Sequence, residues 1–328
     1  MRNLITDVAG IRVGHADDAR LGSGVTAIVF DAPAVAAIDV RGGGPGTRET
    51  DLLDPAMTVE TVDAICLSGG SAFGLEAGAG VQAWLAEQGR GYQVRTARVP
   101  IVPGAILFDL LNGGDKSWGR FPPYRDLGYA AAATAAADFA LGSTGAGLGA
   151  NTVNLKGGTG SASARAPQGF TVGAVAAVNA AGSATVGDTP HFWAAPFEQD
   201  REFGGRGLPA PFPADALAPK IKGRAPQSTA LAVVATDAAL SKAQCRRLAM
   251  MAQTGLSRAI YPVHTPLDGD IVFAVATGAK PLRDPLAELT AMGALAANVL
   301  ARAIARGVYE AKALPFAGAL PDWQSKFG

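Results

Sequence analysis

The sequence is short of the residues that carry the commonest catalytic and redox chemistry. Its 328 residues include two cysteines, Cys66 and Cys245, and three histidines, His15, His191 and His264. None of these shows H-E-x-x-H or paired Cys/His spacing, so no zinc site is expected. Both cysteines fall in apolar segments, and the opening run MRNLITDVAGIRVGHADD has no stretch resembling a signal-peptide core. Two buried thiols in a cytoplasmic protein are therefore expected. Charged residues make up only 17% of the chain, with Lys+Arg and Asp+Glu balanced at 28 each. Without a net charge or a basic run, a nucleic-acid or anionic-membrane surface is not the expected business of this protein. No stretch of about 18 uninterrupted apolar residues exists, the nearest being the Ala-rich run from Tyr129 to Leu141, broken by Thr134 and Asp138. No membrane span is expected, and small ligands remain open.

What the chain has in quantity is apolar residues, at 48%, and glycine, 42 of them, spread without a repeat period among alternating apolar segments. That is a packed globular composition, with glycine serving tight turns and close backbone approach. Val25 to Phe30 and Val35 to Val40 read as a hairpin across Asp31-Ala32-Pro33-Ala34, leading into the turn Gly42-Gly43-Gly44-Pro45-Gly46. Ala64 to Leu67 reads as a buried strand, followed by Ser68-Gly69-Gly70-Ser71 and a helix ending at Gly89. Ser68 or Ser71 would cap that helix. Tyr129 to Leu141 reads as a second helix stopping at Gly142, and Gly142 to Gly160 as a loop. Strands resume at Thr171 to Val178 and Ser183 to Val186, and the Pro- and Gly-rich stretch from Pro190 to Ser228 reads as an exposed connection. Then come a strand at Ala230 to Ala235, a helix over Lys242 to Arg258 capped by Ser241, a strand at Ile271 to Ala276, and a long helix opened by Asp284-Pro285. Paired strands and paired long helices, instead of strict βαβ alternation, predict an α/β layered fold with packed sheets and helices outside.

Several motifs reach toward chemistry and fall short by themselves. Gly145-Ala146-Gly147-Leu148-Gly149-Ala150 approaches a dinucleotide loop, but a helix precedes it where a strand is required, so no cofactor is expected. Ser71 follows a strand as a hydrolase nucleophile would, yet Phe73 stands where the G-x-S-x-G elbow needs its last glycine. Asp268-Gly269-Asp270 places two carboxylates two positions apart, where strand alternation points both one way. Spacing alone reads them as a polar hairpin turn, and Ser228-Thr229 as an ordinary strand start.

Four segments, taken together and in order, resemble the L-aminopeptidase/D-esterase family, which includes β-peptidyl aminopeptidases and nylon-oligomer hydrolase. They are VRGGGPGTRET at Val40 to Thr50, CLSGGSAFGLE at Cys66 to Glu76, STALAVVATD at Ser228 to Asp237 and PVHTPLDGD at Pro262 to Asp270. The resemblance runs from Ile5 to about Arg306. It implies an αββα sandwich in a single self-processing domain, 1–328, cut between Ser228 and Thr229 into chains 1–228 and 229–328. It implies Thr229 as nucleophile, Asn179 in VNAAG as an oxyanion donor, and Asp268 and Asp270 as the paired aspartates of the nylon-hydrolase subgroup. That subgroup also has a lysine after its G-A-G loop. Counting from the loop here reaches Asn154, and the nearest lysine is Lys156.

The chemistry implied is that of an amide hydrolase acting on a small peptide or amide oligomer through an acyl-enzyme. A cut immediately before Thr229 frees its α-amine, whose ordinary pKa of about 7.7 to 8.0 suits a general base at neutral pH. A homo-oligomer, a tetramer of αβ units, is expected by the same resemblance. The alternative is a non-catalytic small-molecule-binding protein of the same fold, with Thr229 a mere strand-end residue. Denaturing electrophoresis separates the two readings.

Overall fold

A computed structural model describes residues 1–222 and 228–328. Its backbone is organised by one strand, β2 (Ser23–Val40), which is 18 residues long. The first half of β2 pairs with β1 (Ile11–Asp18) and with β4 (Thr61–Ser68), and the second half pairs with β11 (Ile271–Lys280). The hairpin expected across Asp31 to Ala34 is thus a single bent strand. Its register with β4 slips between Val29 and Ala34, where Asp31, Ala32 and Pro33 are exposed. A proline has no N–H to give a ladder, so it is tolerated at such a bulge, and the bulge turns the strand from one layer into the next.

Among the described residues the remaining order is β3 (Thr47–Arg48), β7 (Gly104–Ile106), β4, β2, β11, β10 (Thr229–Ala238), β9 (Thr171–Asn179) and β8 (Thr159–Arg165). A separate ribbon pairs β5 (Tyr92–Val94) with β6 (Ala97–Val99). The two halves of the sheet face each other. Alternation along β10 shows it: Leu231, Val233 and Ala235 pack with Ile28, Phe30, Ile65 and Phe273 between the halves, while Ala230, Ala232 and Val234 pack outward on helices. On that outer side lie α3 (Lys242–Ala259) and α4 (Pro285–Tyr309). On the opposite outer side α1 (Ala77–Glu87) and α2 (Tyr124–Ala133) cover Val25, Ala27, Val29 and Cys66. The layers are therefore helix, sheet, sheet, helix. Cys66 and Cys245 are free and buried, and burial pushes both thiols up to about 12.

Four further local expectations differ from the structure. α2 begins at Tyr124, behind Pro122 and Pro123, and ends at Ala133, short of the expected Leu141. The Thr134 hydroxyl donates to the carbonyls of Ala131 and His15, and Ala136 leaves to bridge Val13, so tertiary pairing overrides alanine's helix preference. Ser183 and Thr185 make single bridges, to Tyr261 and Phe192, without forming a strand. Neither Ser68 nor Ser71 caps a helix: Gly70 is the cap residue of the 3-10 turn Ser71–Glu76, in a left-handed conformation, and Glu76 precedes α1. The stretch from Pro190 is also more than an exposed connection, since Phe192 stacks on Trp323 of α5 (Trp323–Phe327) and Phe203 is buried beside it. Its residues 223–227 lie outside those described. By contrast Ser241 caps α3 as expected, accepting from the Gln244 N–H at 3.3 Å, and Asp284 with Pro285 opens α4.

α4 lies close on β8 because glycine lets it. A Cβ at Gly160 would stand 1.9 Å from the Ala303 carbonyl oxygen and 2.3 Å from the Gly307 nitrogen. Gly160→Ala is therefore expected to push α4 off the sheet and cost about 1–3 kcal/mol or more in urea unfolding. An unchanged midpoint would show that the two elements have slack.

Candidate active site

The site forms where β9 ends, β10 begins and the loop entering β11 crosses them. Thr229 pairs with Asn179 in the antiparallel β9–β10 register, so their side chains lie side by side. Both have the parity of Val175, Ala177, Leu231 and Val233, and so point between the two sheet halves at the rim of the inner core. On the other side of β10, Ser228 bridges Asp268 in parallel register. The Ser228 N–H donates to the Leu267 carbonyl at 3.1 Å, and the Gly269 N–H donates to the Ser228 carbonyl at 2.7 Å. The Thr229 hydroxyl donates to that same carbonyl oxygen at 2.7 Å. Ser228 and Thr229 are both buried.

The two aspartates do not form an exposed turn. Each is buried, and each carboxylate accepts three hydrogen bonds. Asp268 accepts from the Ala181 N–H at 3.1 Å and from the N–H and hydroxyl of Thr265 at 2.9 and 2.8 Å. Asp270 accepts from the Ala230 N–H at 2.9 Å and from the N–H and Nδ1 of His264 at 3.0 and 2.9 Å. The carboxylates thus tie the residues after Asn179 and after Thr229 to one loop. Burial pushes the Asp268 carboxyl up from its ordinary range, the neighbouring Asp270 charge adds to this, and the Thr265 and Ala181 bonds oppose it.

The glycine motif at Gly42 to Gly46 packs against this loop. A Cβ on Gly42 would meet the Asp268 carbonyl oxygen at 2.3 Å and the Asp270 nitrogen at 2.4 Å. The Gly44 N–H donates to the Asp268 carbonyl at 2.7 Å. At Gly42 only a residue without a side chain allows the approach. The motif at Cys66 to Glu76 works on another wall: the Gly70 N–H and the Ser23 hydroxyl donate to Asp109 at 2.8 and 2.7 Å, and burial pushes that carboxyl up.

A cleft of about 330 Å³ opens beside Asn179, lined also by Phe108, Asp109, Asn151, Thr152 and Lys222. Asn179 is held on both ends of its amide. Its Oδ1 accepts from the Asn151 N–H and from the Lys222 amine, each at 3.0 Å, and its Nδ2 donates to the Phe108 carbonyl at 2.9 Å. These partners leave one Nδ2 hydrogen for another acceptor.

Thr229, Asn179, Asp268 and Asp270 are thus brought together, whereas the Lys156 and Asn154 side chains bond to other partners. The Lys156 amine is buried under the glycine loop, donating to the carbonyls of Gly147, Ala150 and Gly157 at 3.1, 2.6 and 2.5 Å. Burial draws it down to about 7. It fixes the loop whose Gly149 and Asn151 wall the cleft. Asn154 faces a neighbouring cavity with Ser183 and Thr185. Asn151, Asp109, Gly269, His264, Thr265 and Lys222 were not singled out as site residues by the sequence. Only His264, Thr265 and Gly269 fall within a motif that it marked. Among the described residues no group of three His, Cys, Asp or Glu side chains is placed to hold a metal ion.

Comparison with known proteins shows the family. The profile of peptidase family S58 matches residues 3–319. An uncharacterized aminopeptidase of Mycobacterium bovis is 48% identical, over 99% of this chain and 98% of its own. A 6-aminohexanoate-oligomer endohydrolase of Agromyces is 28% identical over 90% of this chain and 82% of its own. Among solved structures, a Burkholderia beta-aminopeptidase superposes with a TM-score of 0.72 at 22% identity, covering 99% of this chain and 92% of that one. The L-aminopeptidase D-Ala-esterase/amidase of Ochrobactrum anthropi, a variant of the Ntn-hydrolase fold, does so with 0.72 at 21%, covering 98% and 90%. With its αββα layers and a profile match over nearly its whole length, the chain is a hydrolase of peptidase family S58.

Proposed function

We propose that the chain cleaves itself between Ser228 and Thr229 and that the freed Thr229 is the nucleophile of an aminopeptidase acting through an acyl-enzyme. One observation carries the reading: the Thr229 hydroxyl lies 2.7 Å from the oxygen of its own preceding carbonyl, to which the Gly269 N–H already donates at 2.7 Å. Attack by Oγ1 on the Ser228 carbonyl carbon puts negative charge on that oxygen, and Gly269 is an in-place donor for it. Collapse breaks the Ser228 C–N bond and leaves an ester on Oγ1. The hydroxyl proton ends on the departing Thr229 nitrogen. Water then opens the ester, giving a Ser228 carboxylate and a Thr229 with free amine and free hydroxyl.

In turnover that amine accepts the hydroxyl proton as Oγ1 attacks a substrate amide, and returns a proton to the leaving nitrogen. The spare Nδ2 hydrogen of Asn179, which lines the cleft and pairs with Thr229, suits the oxyanion of this second reaction. Asp268 and Asp270 hold the backbone after Asn179 and after Thr229, and so keep nucleophile and donor in register through both reactions. The names of the relatives, an aminopeptidase and an amide-oligomer hydrolase, support short peptides or amide oligomers as substrates. A panel of aminoacyl-anilides, β-aminoacyl amides and 6-aminohexanoate oligomers distinguishes them.

On denaturing gels the protein is expected to run as fragments of about 23 and 10 kDa, the 228 to 100 division of 33.1 kDa, with Thr229→Ala intact. A parent chain that stays whole after long incubation at neutral pH would sink the proposal. Gly269→Ala is expected to slow cleavage more than tenfold with the fold retained, since its Cβ would stand 2.7 Å from Thr229 Oγ1. Asp268→Asn and Asp270→Asn should each slow both cleavage and turnover. Parental rates in both variants would reduce the aspartates to a structural turn.

A further inference from the structure

Lys222 is six positions before the Ser228–Thr229 bond, yet its side chain is seated in the cleft. Its amine donates to Asn179 twice, to Oδ1 at 3.0 Å and to the backbone carbonyl at 3.3 Å, and its own N–H donates to the Ala181 carbonyl at 3.3 Å. None of these three bonds involves Ser228 or Thr229, so breaking the peptide between them removes none of the three. The Asn151 N–H and the Phe108 carbonyl already fix the orientation of the Asn179 amide. What Lys222 adds is charge. An ammonium bonded to an amide oxygen draws electron density toward that oxygen and makes the Nδ2 hydrogens stronger donors.

We propose that Lys222 is a positioning residue for turnover: from the end of the first chain it polarises Asn179, and thereby strengthens the oxyanion contact to a substrate amide. This rests on the reading of Asn179 as that contact. The charged groups around the amine are Asp268, whose field favours the ammonium, and Lys156, which opposes it, with Asp109 on the same cleft wall. Burial draws the Lys222 amine down to about 7. The polarising charge is therefore present below about pH 7 and lost above it.

The test compares kcat of the cleaved parent, Lys222→Met and Lys222→Arg proteins from pH 5.5 to about 9 on one aminoacyl-anilide. For Lys222→Met, kcat is expected to fall about tenfold at pH 6 with KM little changed, and the deficit should shrink as pH rises through about 7. Lys222→Arg, which stays charged throughout, should retain the low-pH rate and extend it upward. A parent-to-Met ratio that does not vary with pH would assign Lys222 a merely structural part, and a ratio of one would mean that the segment leaves the cleft after cleavage. Either result overturns the proposal, as does a Met variant that remains uncut while the Arg variant is cut. A parent that is active but uncut at Ser228–Thr229 would instead remove the self-cleavage reading, and the ratio could still be measured on it.

Discussion

The whole site depends on the pinning of one peptide bond. Ser228 and Thr229 begin β10, and the strand is held from both sides at that point, by the register with Asn179 on β9 and by the loop from Leu267 to Asp270. In the proposed reading the Thr229 hydroxyl, a weak nucleophile, draws its reactivity from placement and from the amine that cleavage would free beside it. The pinning supplies the placement, with hydroxyl and Gly269 N–H converging on one carbonyl oxygen. Since Gly269 lies between Asp268 and Asp270, whatever positions the carboxylates also positions the donor.

That loop is costly to build, which explains the polar connections that maintain it. Two carboxylates in a buried site repel each other and lose water, and each is compensated by three donors. An unpaired buried N–H costs about 1–3 kcal/mol, so removing either carboxylate would loosen several segments together. The fit from the other side is steric. Gly42 and Gly44 bring the end of β2 into direct contact with the loop, so the long bent strand that joins the two sheet halves also buttresses the site.

The layered architecture was legible because its signals are local and repeated. Alternation in β10 and β11, the Ser241 cap of α3 and the Asp284-Pro285 start of α4 all say where an element begins and which face it buries. Asp268 and Asp270 are two apart beside a strand, and the resemblance gave them their partners Thr229 and Asn179. What could not be read was set by contacts between distant segments. Pro33 looks like a turn residue, and only the switch of pairing partners along β2 makes it a bulge. The alanines from Ala135 onward favour a helix, but Val13 takes Ala136 into a bridge. Counting along the chain reaches Asn154, with Lys156 the nearest lysine, and the Lys156 amine is held by carbonyls of the loop itself. Lys222 carries no signal at all, because its place depends on how the connection folds back over Asn179.

The central claim is that Thr229 carries the acyl group of the substrate. It is tested most directly by acid-quenching the enzyme within milliseconds of mixing with a slowly deacylating aminoacyl ester, followed by intact-mass and peptide-level mass spectrometry. The account predicts an increment equal to the aminoacyl group on the fragment beginning at Thr229, located on that residue and absent after the ester is consumed. An adduct on any other residue, or turnover with no adduct on Thr229 under conditions where deacylation limits the rate, would contradict it.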